Sequence, residues 1–474
     1  MSINALPSPS LYVRLAHEVT VRSDGQLAGG APFRLLRLTD SGAAHIRRWA
    51  RADGDVIGPD MGARALARRL LDYGVLISDG CEPGHAAAID LSADVDFIVP
   101  AHDRSAHLDQ CLVALAACRA SVMVVDDGSE DSAAIAEIAA RNGAKLTRLD
   151  RNRGPAAARN AGLRATYRPF VAFVDSDVIV PPGSMERLLS HFADPAVAIA
   201  APRVLPAYPN QRGWVAGYEN AHSALDMGPT PGNAGPGNRV PYVISAALLT
   251  RRAAIGSGFV EALKSGEDVD LGWRVAAAGW RVLYDPQAVV RHHHRVRLMP
   301  LLRKRWTYGR SIGPLARRHP GSLAPLRANR LTLAAVAAAV AGRPVPAAAL
   351  LATRATRLRR HVGGDPILTA RITGIDVWYT SLGVARALRR SWLPALLVSV
   401  PYSRHARRIL VLAVLLRLFE DDHLHPRYLP LALLDDFIAA LALWSSCAQM
   451  RIIDPLVPRQ PRMHRANEPS PAPA

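Results

Sequence analysis

The chain has 474 residues, 49% hydrophobic and 21% charged, with a formal net charge of +18 at pH 7. That apolar fraction excludes wholesale disorder, and the length allows roughly two to four cores. A field this basic draws phosphate in any form: nucleotide, nucleic acid or an anionic membrane surface.

Much of the positive charge falls in the C-terminal third, in runs such as Arg303-Lys304-Arg305, Arg357 to Arg360 and Arg407-Arg408. Cys81, Cys111, Cys118 and Cys447 are scattered without CxxC spacing, which argues for a reducing compartment and against a structural zinc site. The first ten residues have no basic segment leading into an apolar one, so no secretory signal is expected and the reading is cytoplasmic.

In chain order, residues 10–80 read as a small α+β unit. Extended Tyr12 to Leu15 and Val19 to Val21 flank Ser23-Asp24-Gly25, which is turn chemistry. Leu35 to Leu38 leads to Thr39 or Asp40 as caps of a helix over 41–50. A second helix over 62–72 ends at Gly74, before extended Val75 to Ile77. Strand, helix, helix, strand with short links gives a winged-helix-like module, followed by a linker from Gly80 to Asp90.

Residues 93–300 alternate apolar strands (95–99, 121–125, 144–149, 170–174) with helices (108–118, 132–141, 155–165). Strands apolar throughout imply a mostly parallel sheet covered on both faces. Residues 301–455 read as helical and basic, and 456–474 as a Pro-rich disordered tail. Two apolar stretches there, 331–353 and 393–419, are interrupted by Gly342 to Pro346 and by Pro401 to Arg408. Neither gives the ~18 apolar residues of a spanning helix. They fit packing together or lying on an anionic leaflet.

In a parallel sheet, ligands sit beyond the carboxyl ends of the strands. Those ends carry Pro100 to Arg104, then Asp126-Asp127-Gly128-Ser129, then Asn152 to Gly162, then Asp175-Ser176-Asp177. Two carboxylates on one short turn repel unless something compensates, and a hard cation such as Mg²⁺ or Mn²⁺ between them is the natural relief. Asp127 is acceptor-only, while Asp126 also reads as a cap of the loop that follows. Glu267 and Asp268 open a helix whose positive end keeps a carboxylate ionised. Taken singly each has a plainer reading, as an acidic turn, a loop cap or a solvated helix start; the ordered set does not.

The ordered set FIVPAHDR, VVDDGS, NRGPAAARNAG, FVDSDV and GEDVDLGWR resembles family 2 glycosyltransferases of the GT-A fold. The resemblance implies a nucleotide-sugar donor, a divalent cation and inversion at the anomeric carbon. It also implies roles: Pro100 and His102 beside the base, Asp127 on the uracil imide, and Arg159 near base and diphosphate. Asp177 would be the direct metal ligand, with Asp175 on the ribose or a metal water and His292 as a metal or phosphate contact. Asp268 would be the catalytic base and Glu267 its understudy. Processive members carry Gln-x-x-Arg-Trp, of which only Arg305-Trp306 is present, favouring single additions.

LLRLTDSGAAHIRRW and RALARRLLDYGVLIS resemble the peptide-recognition winged helix of pathways that modify ribosomal peptides. Joined to the catalytic motifs, the chain resembles the mycofactocin-system glycosyltransferases, which implies UDP-glucose as donor and a peptide-derived redox cofactor as acceptor. Two alternatives stand beside this. One is a membrane-associated transferase for a lipid or cell-wall acceptor. The other is a DNA-binding regulator reading bases through Arg64, Arg68 and Arg69, although no nucleic acid is expected because the motifs would then go unexplained.

Overall fold

The computed structural model describes residues 5–21, 26–30, 33–51, 54–81, 89–362, 364–420 and 424–460. The expected turn at Ser23-Asp24-Gly25, most of the expected linker and the tail beyond residue 460 lie outside the described residues. The chain divides into two compact units, Met1–Pro209 with Ala224–His294, and Asn210–Ser223 with Arg295–Pro469.

The first unit opens with β1 (Leu11–Leu15), β2 (Thr20–Val21), β3 (Gln26–Gly29), β4 (Arg34–Arg37), α1 (Asp40–Trp49), β5 (Asp55–Val56), α2 (Met61–Asp72) and β6 (Leu76–Cys81). Strands β5, β1 and β6 make one antiparallel sheet and β2, β3 and β4 another. The Thr39 side chain caps α1 by accepting from the Gly42 amide, and Asp60 caps α2 at Ala63. Leu11, Val13, Ile46, Trp49, Leu70 and Leu71 form the core between the sheet and the two helices.

This module is bolted to the larger sheet by buried charge. Arg68 Nη1 reaches both oxygens of Asp194, at 2.7 and 2.9 Å, and Arg281 Nη1 reaches Asp194 Oδ2 at 2.6 Å. Asp194 is fully buried. The two guanidinium charges hold its carboxyl below the ordinary value even though burial alone would raise it. Beside this joint, Asn233 donates to the Leu71 carbonyl at 2.8 Å. The Ser78 hydroxyl, His191 and Asp285 form a buried relay, with His191 Nε2 2.8 Å from Asp285.

The larger sheet follows α3 (Leu91–Asp94): β7 (Val95–Ala101), α4 (Ser105–Leu115), β8 (Ser121–Asp126), α5 (Ser132–Arg141), β9 (Lys145–Arg148), α6 (Pro155–Ala165), β10 (Phe170–Val174), β11 (Val178–Ile179), α7 (Ser184–Ser190) and β12 (Val197–Pro206). Helix α8 (Trp214–His222) belongs to the second unit; the first resumes with β13 (Gly232–Asn233), β14 (Ala247–Arg251), α9 (Arg252–Ile255), α10 (Glu267–Ala277) and β15 (Arg281–His292).

The strand order is β11-β15-β12-β14-β10-β7-β8-β9, with β13 beside β15. Strands β10, β7, β8 and β9 are parallel neighbours, as are β12 and β15. Strand β14 is antiparallel between β10 and β12, so the sheet is mixed but mostly parallel. The chain leaves β7 toward β8 on one side and later returns to β10 on the other. This reversal opens a crevice at the carboxyl ends of β7 and β10, where ligands bind in such sheets. Gly162 lets α6 lie close on β7: a Cβ there would come within 2.4 Å of Ile98 Cγ2.

The second unit is helical: α8, α11 (Leu298–Arg318), α12 (Arg330–Val340), α13 (Pro344–His361), α14 (Pro366–Arg390), α15 (Leu393–Ser399), α16 (Arg404–Leu416) and α17 (Leu429–Met450). The interruptions expected near Gly342 and Pro401 fall between α12 and α13 and between α15 and α16. A third apolar stretch, which composition did not bring forward, is Pro426–Met450: long and apolar enough by length and composition to cross a membrane, yet half buried within the protein.

In its middle, Asp435 and Asp436 are buried among arginines. Asp436 meets Arg389 at 2.9 Å, Arg390 at 2.9 Å and Arg417 at 3.7 Å, and Asp435 meets Arg305 at 3.1 Å. Arg305 also meets Glu219 at 3.2 Å, and the Tyr218 hydroxyl donates to Asp435 at 3.0 Å. Residue Arg305 of the partial Arg-Trp signature is therefore part of the interior of this unit. The segment beyond α17 is described as far as residue 460, where the Arg459 amide donates to Leu326.

Candidate active site

The first strand end shapes the crevice through its backbone. After β7, Asp103 and Arg104 both adopt left-handed conformations, with φ of 53°. Two successive non-glycine residues in that region are costly and need external support. Support comes from the loop after β8: the Asp103 amide donates to Ser129 Oγ at 2.9 Å and the Glu130 amide donates to Asp103 Oδ1 at 3.0 Å. The kink starts α4 and sends the Arg104 guanidinium to Asp177 Oδ2, 3.2 Å away. His102 is exposed on this loop and Pro100 half-buried before it.

After β8, Asp126 accepts from the Ser129 amide at 2.9 Å and pairs with Arg148 at 3.1 Å, which is the loop-capping arrangement. Asp127 accepts from the Arg153 amide at 2.8 Å and the Gly154 amide at 2.7 Å, tying this loop to the start of α6. Gly128, at φ +71°, is required between them, because a Cβ would fall 2.6 Å from the Arg151 backbone. Each Asp127 oxygen retains a second lone pair for another donor.

The acidic turn after β10 is pinned from both sides. The Asp175 amide donates to Ala246 just before β14, and the His293 amide donates to the Asp177 carbonyl just past β15. Asp177 Oδ1 lies 3.4 Å from His292 Nε2. Burial pushes the Asp177 carboxyl up, but the hydrogen bond from His292 and the charges of His292 and Arg104 hold it below the ordinary value. His292 Nδ1 is 3.0 Å from His294 Nδ1, so these two share a face, as alternation along a strand requires. His293 lies against the His107 and Tyr208 rings instead.

Arg159 joins this turn to the acidic start of α10. Its guanidinium is only 2% exposed and reaches Asp175 at 2.5 Å and Glu267 at 2.8 Å. It also lies over the Phe259 ring. Burial pushes the Glu267 carboxyl above its ordinary value and the Asp268 charge adds to this, against the opposing charge of Arg159.

Asp268 differs from its neighbour. It is half-buried, with Oδ2 accepting from the Ser245 amide at 3.0 Å and the Ser245 hydroxyl at 3.2 Å. Of the two acidic residues, Glu267 is locked into an ion pair and Asp268 is oriented by neutral donors while keeping solvent access.

Three contributors escaped the sequence reading. Arg104 stood inside a quoted motif without a role. Asn160, also in a motif, clamps the loop at Phe259 by accepting from its amide and donating to its carbonyl, both at 2.8 Å. Ser245 carries no local signal, since only the pairing of β14 brings it to Asp268.

Among the described residues no three His, Cys, Asp or Glu gather into a set able to enclose a metal by themselves. Asp177 and His292 offer one oxygen and one nitrogen on the same side, with Asp175 on the same turn. Such an open-sided set suits a cation whose remaining positions are filled by phosphate oxygens.

A strand-order reversal, an acidic turn beyond it and a carboxylate at a helix start form the arrangement that the resemblance to glycosyltransferases leads one to expect. In agreement, the family described as "Glycosyl transferase family 2" matches residues 96–258. The "Pre-mycofactocin glycosyltransferase" of Mycobacterium tuberculosis is 34% identical over 483 residues, covering 97% of this chain and 99% of that one. The chain belongs to that family. The "Succinoglycan biosynthesis protein ExoU" of Rhizobium meliloti is 33% identical over 175 residues, covering 34% of this chain and 50% of that protein. Among solved structures, a mannosyltransferase of Pyrobaculum calidifontis in complex with GDP-Man and Mn2+ is similar at 19% identity and a TM-score of 0.38, covering 70% of this chain and 90% of the other.

Proposed function

We propose that this family 2 glycosyltransferase moves a sugar, with inversion, from a nucleoside-diphosphate donor to a hydroxyl of a peptide-derived redox cofactor of the mycofactocin type. UDP-glucose is the donor we favour. The observation that carries the reading is Asp268: an accessible carboxylate, oriented by Ser245 and linked through Glu267 and Arg159 to the turn of Asp175 and Asp177. The likeness to the pre-mycofactocin glycosyltransferase of Mycobacterium tuberculosis supports the acceptor class.

In this proposal Pro100 and His102 flank the base, Asp127 accepts the imide hydrogen with its remaining lone pairs, and Asp126 holds the loop. Asp177 and His292, with Asp175, would hold Mg²⁺ or Mn²⁺, which when bound neutralises charge on the departing diphosphate. The acceptor oxygen attacks the anomeric carbon as Asp268 takes its proton, and the carbon–oxygen bond to the diphosphate breaks with its electron pair. Attack from the face opposite the leaving group inverts the centre. Arg159 acts as a positioning residue: with its two terminal nitrogens in ion pairs, it fixes α10 against the donor turn.

The module before residue 82 is proposed to recognise the peptide part of the acceptor. The DNA-reading alternative loses its recognition helix, because Arg68 is committed to Asp72 and Asp194 and Arg64 donates to the Pro7 carbonyl. A cytoplasmic location is part of the same proposal.

Incubating the protein with peptide-derived acceptors and a panel of nucleotide sugars, with Mn²⁺ or with EDTA, tests the reading by mass spectrometry. The expected result is a hexose added from UDP-glucose with metal only, with the opposite anomeric configuration by NMR. Retained configuration, or equal transfer in EDTA, would overturn it.

A further inference from the structure

The second unit turns the wrong side chains outward for a helical bundle surrounded by water. On α16 and the turn that continues it, Arg404, Arg408, Val411, Leu412, Leu415 and Phe419 recur at the spacing of one helix face. That face is the open one: Leu415 is 52% and Phe419 62% exposed, while Ala406 and Ala413 on the other side are buried. Small residues point inward and large apolar ones outward, the reverse of an ordinary surface helix.

Helix α14 packs against α16 and repeats the pattern with exposed Ile375, Trp378 and Tyr379. At the end of α15, which touches both, Val398 and Tyr402 are 71% and 89% exposed. Scattered apolar residues are normal on a soluble surface, but runs on three mutually packed helices mark an interaction site.

The charge identifies what covers it. Between residues 331 and 420 there are thirteen arginines, no lysine and three acidic residues. Two of those three acids are already taken, Asp376 by Arg354 and Glu420 by Arg389. Arg404, Arg407 and Arg408 stand in the first turns of α16, where the helix dipole disfavours cations and welcomes phosphate. Among the described residues no carboxylate pairs with these three. An apolar stripe running into arginines, with Trp and Tyr alongside, matches the interface of an anionic bilayer. At 13 residues α16 is too short to span one, which needs ~20.

We propose that α14, α15 and α16 form a docking face that lies in the surface of an anionic phospholipid membrane, without crossing it. This is independent of the sugar and acceptor assigned above. It extends the leaflet expectation from composition to one face and its named side chains.

The test is flotation of the full chain with phosphatidylcholine vesicles and with vesicles containing phosphatidylglycerol, at low and high salt. Two variants are compared: Leu415→Glu with Phe419→Glu, and Arg404→Gln with Arg407→Gln and Arg408→Gln. Circular dichroism and UDP affinity check that both variants remain folded. The wild type is expected to bind the anionic vesicles at least about tenfold more strongly, with salt weakening that preference. The arginine variant should lose the preference and the glutamate pair should lose binding altogether. Absence of wild-type flotation with anionic vesicles, or undiminished binding by the glutamate pair, overturns the proposal. A concentration-dependent dimer that the glutamate pair dissolves, without any vesicle binding, would assign the face to a second copy of the chain and overturn it equally.

Discussion

Among the places where carboxylates are buried beside arginines in this protein, the helical cluster and the strand ends serve different ends. In the helical unit, Asp435 and Asp436 are surrounded by Arg305, Arg389, Arg390 and Arg417, with Glu219 and Glu420 completing the balance. Every acid there is enclosed, so the cluster can hold helices in register but has no face left to meet a substrate. At the strand ends, a single Arg159 is shared between Asp175 and Glu267. Asp177 is likewise held, between Arg104 and His292, yet Asp268 stays half-buried and is held only by the uncharged Ser245 and by backbone amides. Buried charge alone does not mark chemistry. A site is where the network leaves one carboxylate oriented but open.

That comparison breaks first on Asp268. Asp268→Asn should lower turnover by ~10²–10⁴-fold while UDP affinity and melting temperature stay near wild type, because only the proposed base is removed. Glu267→Gln should cost less turnover and more stability. Steady-state kinetics beside calorimetry would show the assignment reversed if the Gln variant were the inactive one.

Next, Asp436→Asn should destabilise the fold by about 3–5 kcal/mol, since buried Arg389 would keep its charge in the interior with one partner fewer. Chemical denaturation measures this; unchanged stability together with lost turnover would make the cluster functional and erase the contrast.

The smallest effect sharpens the picture at Arg159. Arg159→Lys can satisfy Asp175 or Glu267 but not both, because an ammonium lacks the planar fork. Losing one charged hydrogen bond is worth about 1.5–3 kcal/mol, so kcat should fall roughly ten- to hundredfold. KM for the donor should change little if Arg159 positions α10, and should rise with kcat intact if it binds donor directly.

The half of the larger sheet up to β10 was legible because each strand, turn and helix announces itself locally. The helices over 132–141 and 155–165 and the strand over 170–174 stand where their apolar runs and Pro155 put them. The half that follows β10 was not. Strand β12 contains Ala198, Ala200, Ala201, Pro202 and Pro206, residues that are depleted in strands, and β14 is a five-residue insert whose direction only its neighbours decide. Strands β3 and β5 escaped for a similar reason, one being Gln-Leu-Ala-Gly and the other two residues long.

The same division runs through the site. Asp127, Asp175, Asp177 and Asp268 could be named from their motifs, whereas the partners that orient them come from segments far along the chain. Ser245 is 23 positions from Asp268, and Arg159 is 108 from Glu267. Helix α17 falls in the region read as helical, but its long apolar run was missed: the two aspartates at its centre make that run look broken, although the fold encloses them with arginines.

The joint at Asp194 bears on how such a protein can be taken apart or recombined. A transferase that reads its substrate through a separate front module invites exchange of that module, so that one catalytic sheet could serve many peptides. Here the seam passes through a carboxylate that belongs to the sheet and is answered from both sides, by Arg68 from the module and Arg281 from β15. A foreign module spliced in near residue 82 would have to bring its own guanidinium to that spot, or the host would need Asp194 replaced at the same time. Lineages that shuffle this front end should therefore change these positions together, and a designer should choose the cut by charge before choosing it by sequence length.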